Sequence, residues 1–210
     1  MLGGFIVKRV RIICNPNSGR QIVQRNIPDL AKVLEENNFY VSIHTTRAQL
    51  DATHAASEAC KNGYDIVIAI GGDGTVNEVV NGIMLNEIKP KLAIYPAGTV
   101  NDFATYLKIP RMMKEFAKMI TEEKTTKIDV GLGGDRYFLN VAAAGLLTDV
   151  AYRVSSEAKT VLGKFAYYLE GLKELPKQVF KPIKIMLKIN DIEEEREILF
   201  FLVANTPSVG

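Results

Sequence analysis

One short segment near the middle of the chain limits the possible folds more than any other. Residues 66–70 are all apolar (IVIAI), and Gly-Gly-Asp-Gly-Thr follows directly at 71–75. This order predicts a buried strand that ends in a glycine turn and passes into a helix. Glycines allow a phosphate close to the backbone, and the first turn of a helix offers unpaired N–H donors. The segment therefore predicts an anion-binding turn between a strand and a helix.

Asp73 is the unusual residue of this turn. A carboxylate repels a bare phosphate, so an acid at this position indicates a bound cation or a hydroxyl group that is to be activated. Strand, glycine turn, acid and helix together indicate phosphoryl transfer. The plain alternative is a turn whose glycines serve only close packing, but Gly-Gly-Asp-Gly-Thr at a strand-to-helix junction favours a functional site. Glu78 has the plain interpretation of a partner for the helix dipole.

The N-terminal part of the chain alternates between apolar strands and helical patterns. Strands are predicted over 10–14, 39–44, 65–70 and 91–95. A first helix is predicted after the loop at 15–19, ending at about 37, and two more over 51–61 and 75–84. Pro28 either kinks the first helix or marks its start. Crossover units of this kind build a parallel sheet, and ligands bind beyond the carboxyl ends of its strands. The fold class predicted for this region is α/β.

Two further polar loops follow strands of the same predicted sheet. Asn-Pro-Asn-Ser-Gly-Arg at 15–20 suits a tight turn whose N–H groups face a ligand, and a plain turn with Ser18 as helix cap explains it equally well. Pro-Ala-Gly-Thr-Val-Asn-Asp-Phe at 96–103 offers a second glycine approach, with Asn101 and Asp102 as alternative helix caps. Polar glycine loops on adjacent strands favour one shared cleft.

A third acid and the histidines complete the polar candidates. Asp129 stands between apolar neighbours, where an acid is costly unless it is paired or bound to a metal. With Asp73 and Asp102 it forms a candidate carboxylate cluster for Mg²⁺, and the alternative is an acid on a solvated strand face. His44 and His54 have no matching ligand set, so they are expected to be surface or hydrogen-bonded residues.

From about residue 125 the pattern changes to antiparallel strands. The predicted elements are strands over 127–131 and 137–142 around a turn at 132–135, a helix over 148–175, and strands over 183–189 and 195–204. The lysines of the helical stretch indicate either a face that touches anionic lipid or a solvated helix face, and the second is the plainer interpretation. Two domains are therefore expected, 1–124 and a β-rich 125–210.

Charge and composition exclude some classes of protein. The net charge is +2, from 26 basic and 24 acidic residues, which is too balanced for a dedicated nucleic-acid binder. Cys14 and Cys60 lie outside any Cys-x-x-Cys pair, so we expect two unlinked thiols in a reducing compartment. No apolar run approaches the ~18–20 residues that span a bilayer. We expect a cytoplasmic protein without nucleic-acid partners.

Taken together, the motifs resemble those of bacterial diacylglycerol kinases and related lipid kinases. The resemblance rests on 15–19, 71–79 and 96–104, and it extends to Asp129, 138–145 and 203–205. It implies an ATP-dependent kinase with a Rossmann-like N-terminal domain for the nucleotide and a β-rich C-terminal domain for the lipid substrate. The residues that it implies as nucleotide contacts are Asn15, Pro16, Asn17, Ser18, Gly19, Thr46, Gly71, Gly72, Asp73, Gly74, Thr75, Val76, Asn77 and Thr99.

The resemblance also implies a Mg²⁺-linked network of Asp73, Asp102 and Asp129 near the transferred phosphate, with Asp73 as the catalytic residue in this chain. The family usually has another glycine or lysine after Ser-Gly, whereas Arg-Gln follows here. Its members continue past the point that corresponds to Gly210, with an Asp-Gly metal loop and the acid that deprotonates the lipid hydroxyl. We therefore expect the catalytic base beyond Gly210, in a longer native protein.

The leading hypothesis is phosphorylation of a lipid hydroxyl by MgATP, with diacylglycerol giving phosphatidic acid. Such an enzyme would be cytoplasmic and peripheral at the inner membrane face, with lipid at the membrane surface as its partner and a homodimer as a candidate assembly. One alternative is a kinase of a soluble substrate, although NAD kinases and phosphofructokinases resemble this chain only at 71–74. The other is a non-catalytic module that binds a nucleotide or a regulatory partner.

Overall fold

The computed structural model describes residues 7–18, 22–98, 101–145 and 182–205, except for the side chains of 22–24, 102, 144, 145 and 189. By its internal contacts the chain divides into unit 1 (1–139) and unit 2 (140–210). This division lies later than the predicted boundary after residue 124, because a hairpin beyond that point packs on a helix of unit 1. The helix predicted over 148–175 lies outside the described residues. Of the helices described, none combines the length and the apolar character that a bilayer crossing requires.

A parallel sheet forms the centre of unit 1. Its strands are β1 (Lys8–Cys14), β2 (Phe39–Thr45), β3 (Ile66–Gly71) and β4 (Lys91–Pro96). The four strands are arranged in the order β2-β1-β3-β4. All residues of β3 are buried, as expected of a central parallel strand that is covered on both faces. The predicted α/β class is confirmed, and so are the four predicted strands.

Helices cover both faces of this sheet. They are α1 (Ile22–Glu36), α2 (Asp51–Lys61), α3 (Asp73–Met84), α4 (Asp102–Tyr106) and α5 (Met113–Thr121). Successive side chains of β3 belong to opposite cores, since Val67 packs with α2 and α3 and Ile68 packs with α1 and α5. The bounds predicted for α2 are confirmed, and α1 begins before Pro28 and contains it. Helix α5 was not predicted from the sequence, although Phe116 and Ile120 have helical spacing.

A short hairpin follows the irregular segment 124–130. It consists of β5 (Gly131–Gly133) and β6 (Arg136–Phe138), with a turn at Gly134 in the left-handed region (φ 63°). The strand predicted over 127–131 is wrong in its first part, because residues 127–129 are exposed and have no partner strand in the described part of the chain. The amide of Asn81 on α3 donates to the carbonyl of Tyr137 (2.8 Å) and accepts its N–H (2.9 Å). These bonds fix the hairpin to α3.

Unit 2 contains antiparallel strands. They are β7 (Val141–Gly145), β8 (Ile183–Ile189), β9 (Ile192–Ile198) and β10 (Phe200–Ala204). β8 and β9 form a hairpin, and β10 pairs with β7. The alternation predicted for β8 is confirmed over 183–186, where Ile183 and Ile185 are less exposed than Lys184 and Met186, but it fails at Leu187, which is exposed. The strand predicted over 195–204 is wrong as a single element, because its two halves pair with different strands and are separated at Leu199. The strand predicted over 137–142 is likewise divided between β6 and β7.

Candidate functional site

Three loops meet at the carboxyl edge of the parallel sheet. The first loop (15–18) follows β1, the second loop (71–75) joins β3 to α3, and the third loop (97–101, described without 99 and 100) follows β4. The N–H of Asn15 donates to the carbonyl of Ile70 (3.0 Å), and the N–H of Ala97 donates to that of Gly71 (3.3 Å). The loops predicted to share one edge are therefore hydrogen-bonded to one another through the end of β3.

The side chain of Asn15 shapes the first loop. Asn15 Oδ1 accepts the N–H of Asn17 (2.9 Å), and the Asn15 carbonyl accepts the hydroxyl of Ser18 (3.0 Å). Asn15 Nδ2 reaches the second loop and donates to Oγ1 of Thr75 (3.2 Å). Among the residues implied as nucleotide contacts, Asn15 therefore acts within the protein, because it orders its own loop and orients the hydroxyl of Thr75.

The glycines of the second and third loops serve different purposes. A Cβ atom at Gly98 would lie 2.7 Å from the Cα of Gly72, and one at Gly71 would lie 2.5 Å from the Cβ of Thr75. These positions need glycine because the protein packs tightly around them. A Cβ atom at Gly74 would meet nothing within 4 Å, so this glycine faces open space. Close packing therefore explains Gly71 and Gly98, and it does not explain Gly74.

The N-terminus of α3 has the features of an anion-binding site. Gly72 occupies the N-cap position in an extended conformation (φ −82°, ψ 179°) and offers no side chain to cap the helix. The hydrogen-bond ladder begins with the N–H of Val76, which donates to the carbonyl of Gly72 (3.1 Å). The amides before it lie beside Gly74, where the dipole of the 12-residue helix favours negative charge. Val76 was also predicted as a nucleotide contact, but its side chain is buried in the core.

The loop after β2 reaches the same edge of the sheet. Thr46 is buried, and its N–H donates to the carbonyl of Cys14 (2.9 Å). The carboxylate of Asp51 fixes the next part of the loop, since it accepts the N–H of Arg47 (2.8 Å) and lies 3.1 Å from Nε2 of His44. The hydrogen bond from Arg47 is the main cause that lowers the pKa of Asp51. His44 is thus a hydrogen-bonded residue, as predicted.

The three predicted magnesium ligands lie on separate elements. Asp73 is the first residue of α3, Asp102 is the first residue of α4, and Asp129 lies in the exposed segment before β5. Among the described side chains, which exclude that of Asp102, no group of three His, Cys, Asp or Glu residues could hold a metal ion. A magnesium site of these aspartates stays a prediction. Two further predicted contacts, Gly19 and Thr99, lie outside the described residues.

Asn101 in the third loop was not among the predicted contacts. It is 1% exposed, and its backbone adopts the left-handed conformation (φ 53°, ψ 51°). Its Nδ2 donates to the carbonyl of Gly71 (3.2 Å), and its Oδ1 has no hydrogen-bond partner in the described structure. It precedes α4 without a capping hydrogen bond, so the helix-cap alternative is wrong for its side chain. The signal in the sequence was asparagine itself, which adopts this conformation more readily than most residues.

Comparison with known families identifies this arrangement of loops. The family model described as the diacylglycerol kinase catalytic domain matches residues 9–132. The chain belongs to this family. The matched diacylglycerol kinase segment runs from β1 through α5, and it therefore contains all three loops.

Curated and solved members of the diacylglycerol kinase family agree with this assignment. The diacylglycerol kinase of Bacillus subtilis is 42% identical over 205 residues, which are 97% of this chain and 67% of the relative. That of Staphylococcus haemolyticus is 42% identical over 203 residues, 97% of this chain and 61% of the relative. A crystal structure of a diacylglycerol kinase from Bacillus anthracis has a TM-score of 0.74 and 31% identity, covering 97% of this chain and 66% of that one. The chain thus spans about two thirds of the length of these proteins.

The loops of this diacylglycerol kinase family member fit a polyphosphate with a divalent cation. The uncapped start of α3 and the open face of Gly74 suit phosphate oxygens. The exposed carboxylate of Asp73 is a hard oxygen ligand, the type that Mg²⁺ prefers. The unpaired Oδ1 of Asn101 is an additional acceptor at the same edge of the sheet. The chemistry of these groups therefore agrees with a nucleotide and its cation.

Proposed function

We propose that the chain binds the triphosphate of ATP where the three loops meet, and that the protein transfers the terminal phosphate to the hydroxyl of diacylglycerol. The observation that carries this proposal is the uncapped N-terminus of α3 beside the open face of Gly74. Such a helix end favours an anion, and membership of the family supports a lipid kinase. The names of the relatives support diacylglycerol as the acceptor and phosphatidic acid as the product.

Each loop contributes a different part of the positioning in this proposal. The amides of the first turn of α3 bind phosphate oxygens. The Oγ1 atom of Thr75 accepts a hydrogen bond from Asn15, so its own proton is directed to another acceptor, for which a phosphate oxygen is suited. Asp73, Asp102 and Asp129 would hold Mg²⁺, which supplies positive charge against the phosphates when bound. Positioning and charge neutralisation are the main contributions in phosphoryl transfer generally.

The acceptor in this proposal is a lipid, so the protein has to act at a membrane surface. We place unit 1 at the nucleotide and unit 2 at the lipid. The proposed location is the cytoplasm, with peripheral contact at the inner membrane face and a homodimer as the candidate assembly.

The direct test is transfer of the labelled terminal phosphate of ATP. Because the chain spans about two thirds of the length of its relatives, a full-length protein that contains it is assayed beside the 210-residue chain. Each is incubated with MgATP and vesicles that contain diacylglycerol, and parallel samples contain NAD or a sugar phosphate instead. Label is expected in phosphatidic acid alone. Label in NAD or in the sugar phosphate would contradict the lipid substrate. ATP binding by calorimetry without transfer to any acceptor, by the full-length protein as well, would favour the non-catalytic module.

Replacement of Asp73 tests its catalytic role. Asp73→Asn keeps the shape of the side chain and removes its charge, so transfer is expected to fall by about 100-fold, the order seen when one electrostatic contact to a transition state is lost. Asp29→Asn on α1 is the matched control, because Asp29 is also exposed and lies in the middle of its helix, away from the helix N-terminus. Unchanged turnover of Asp73→Asn, with an unchanged melting temperature, would remove Asp73 from the mechanism.

A further inference from the structure

Asn101 carries an unexplained hydrogen-bonding deficit. Among the described residues, the buried side-chain polar atoms without a partner are Arg11 Nε and Asn101 Oδ1. Arg11 stacks on the ring of Tyr64 and lies 3.4 Å from a carboxylate oxygen of Glu58, so its guanidinium has other contacts. Asn101 lies at the candidate site, and a buried acceptor without a donor is unfavourable unless a further group supplies one.

The amide of Asn101 is enclosed between the second and third loops. Its Nδ2 is bonded to the carbonyl at the end of β3, on Gly71. A Cβ atom at Gly98 would lie 3.2 Å from both Nδ2 and Oδ1 of Asn101, so the amide packs directly against the backbone of the third loop. The left-handed backbone of Asn101 adds strain of the kind that is found at functional sites. The side chain therefore connects the loops that flank the start of α3.

We propose that Asn101 is a positioning residue that couples the second and third loops to nucleotide binding. Its Nδ2 holds Gly71 in place, and its Oδ1 accepts a hydrogen bond from an O–H donor that arrives with the nucleotide. This inference rests on the proposed function. The O–H donors that accompany a nucleotide are its ribose hydroxyls and the water molecules bound to its cation.

Asn101→Gly separates this role from a purely structural one. Glycine adopts the left-handed conformation without strain, and the carbonyl of Gly71 keeps its hydrogen bond from Ala97 N–H (3.3 Å). The variant loses the hydrogen bond to Gly71 and is therefore expected to melt about 2–4 °C below wild type without nucleotide, and to bind ATP about tenfold more weakly, as for one further lost hydrogen bond. Asn38→Gly is the matched control, because Asn38 is also left-handed (φ 64°) and lies in an exposed turn after α1.

Binding is measured by calorimetry with three ligands: MgATP, ATP with EDTA, and Mg²⁺ with 2′,3′-dideoxy-ATP. If the donor is a cation-bound water, the difference in ATP affinity between wild type and Asn101→Gly disappears when EDTA removes the cation. If the donor is a ribose hydroxyl, the difference disappears with the dideoxy nucleotide. A difference that persists with both would overturn the assignment of the donor.

A second measurement uses the wild-type protein and therefore does not depend on whether the variant folds. In protein labelled with ¹³C at asparagine Cγ, the Asn101 signal of the wild type is expected to shift downfield when ATP is added, because its carbonyl gains a hydrogen bond. A wild-type protein that binds ATP without this shift, or an Asn101→Gly variant that binds as tightly as wild type, would end the inference. A wild-type protein that binds no nucleotide would instead contradict the proposed function.

Discussion

A pair of identical substitutions on α3 tests whether its first glycine serves a ligand or the fold. Gly74 and Gly82 both belong to this helix. A Cβ atom at Gly74 would meet nothing within 4 Å, whereas one at Gly82 would come against the backbone of Thr53 and lie 2.8 Å from the Cβ of Ala56 on α2. Replacing glycine by alanine inside a helix is otherwise favourable, by about 0.5–1 kcal/mol. The two substitutions should therefore change stability in opposite directions.

The expected magnitudes follow from these surroundings. Gly74→Ala should raise the free energy of unfolding by about 0.5–1 kcal/mol, which is ~1–4 °C in melting temperature for a chain of this size. Gly82→Ala should lower the free energy of unfolding by about 1–3 kcal/mol, because the added methyl group overpacks the contact between α2 and α3. For ATP affinity we expect the opposite ranking, with the stabilised variant Gly74→Ala binding more weakly than Gly82→Ala. Gly74→Ala should weaken affinity by about tenfold or more, since its methyl group fills space that we assign to a phosphate.

Urea unfolding and calorimetric titration with MgATP measure these effects, and Gly82→Ala is the control for any general effect of stability on binding. A Gly74→Ala variant that is more stable and binds ATP as tightly as wild type would refute the placement of the phosphates. A clearly less stable Gly74→Ala variant would refute the conclusion that this glycine faces open space.

Two further substitutions test side-chain contacts that join secondary-structure elements of unit 1. Glu123 accepts hydrogen bonds from Lys8 and Lys91, which lower its pKa to about 2 from 4.5. A lowered pKa stabilises the folded state above about pH 4.5, and this contribution to the free energy of unfolding is lost as the pH falls towards 2. Glu123→Gln should therefore have a lower urea midpoint than wild type at pH 6 and the same midpoint near pH 2. Asn81→Asp removes the donor to Tyr137 and should cost about 2 kcal/mol in urea unfolding, whereas a loss below ~0.5 kcal/mol would contradict the role of this amide in holding the hairpin.

The parallel sheet was predictable because burial on both faces leaves a simple trace in sequence. The run Ile-Val-Ile-Ala-Ile of β3 has no polar position, and the glycine turn that follows marks where the strand ends. The bounds of α2 were equally clear, since Asp51 opens the helix and Asn-Gly follows Lys61. In these elements the local pattern and the tertiary environment require the same residues.

The helix α5 was missed although its buried residues have helical spacing, whereas the strand divisions that were missed depend on contacts that no local pattern records. The run from Glu195 to Ala204 is compatible with one long strand, and only its pairing partners divide it at Leu199. The site shows the same limit. The glycine loops were found because their composition is unusual, but the division between packing at Gly98 and open space at Gly74 depends on which atoms lie nearby. The buried amide of Asn101 could likewise be identified only after the loops were placed.

A crystal structure of the protein with Mg²⁺ and a non-hydrolysable ATP analogue is the most direct test of the central claim. Phosphate density is expected at the start of α3, within hydrogen-bonding distance of the amides of residues 73–75 and beside Gly74, with the first and third loops on either side. Phosphates bound elsewhere on unit 1, with the N-terminus of α3 facing solvent, would contradict it.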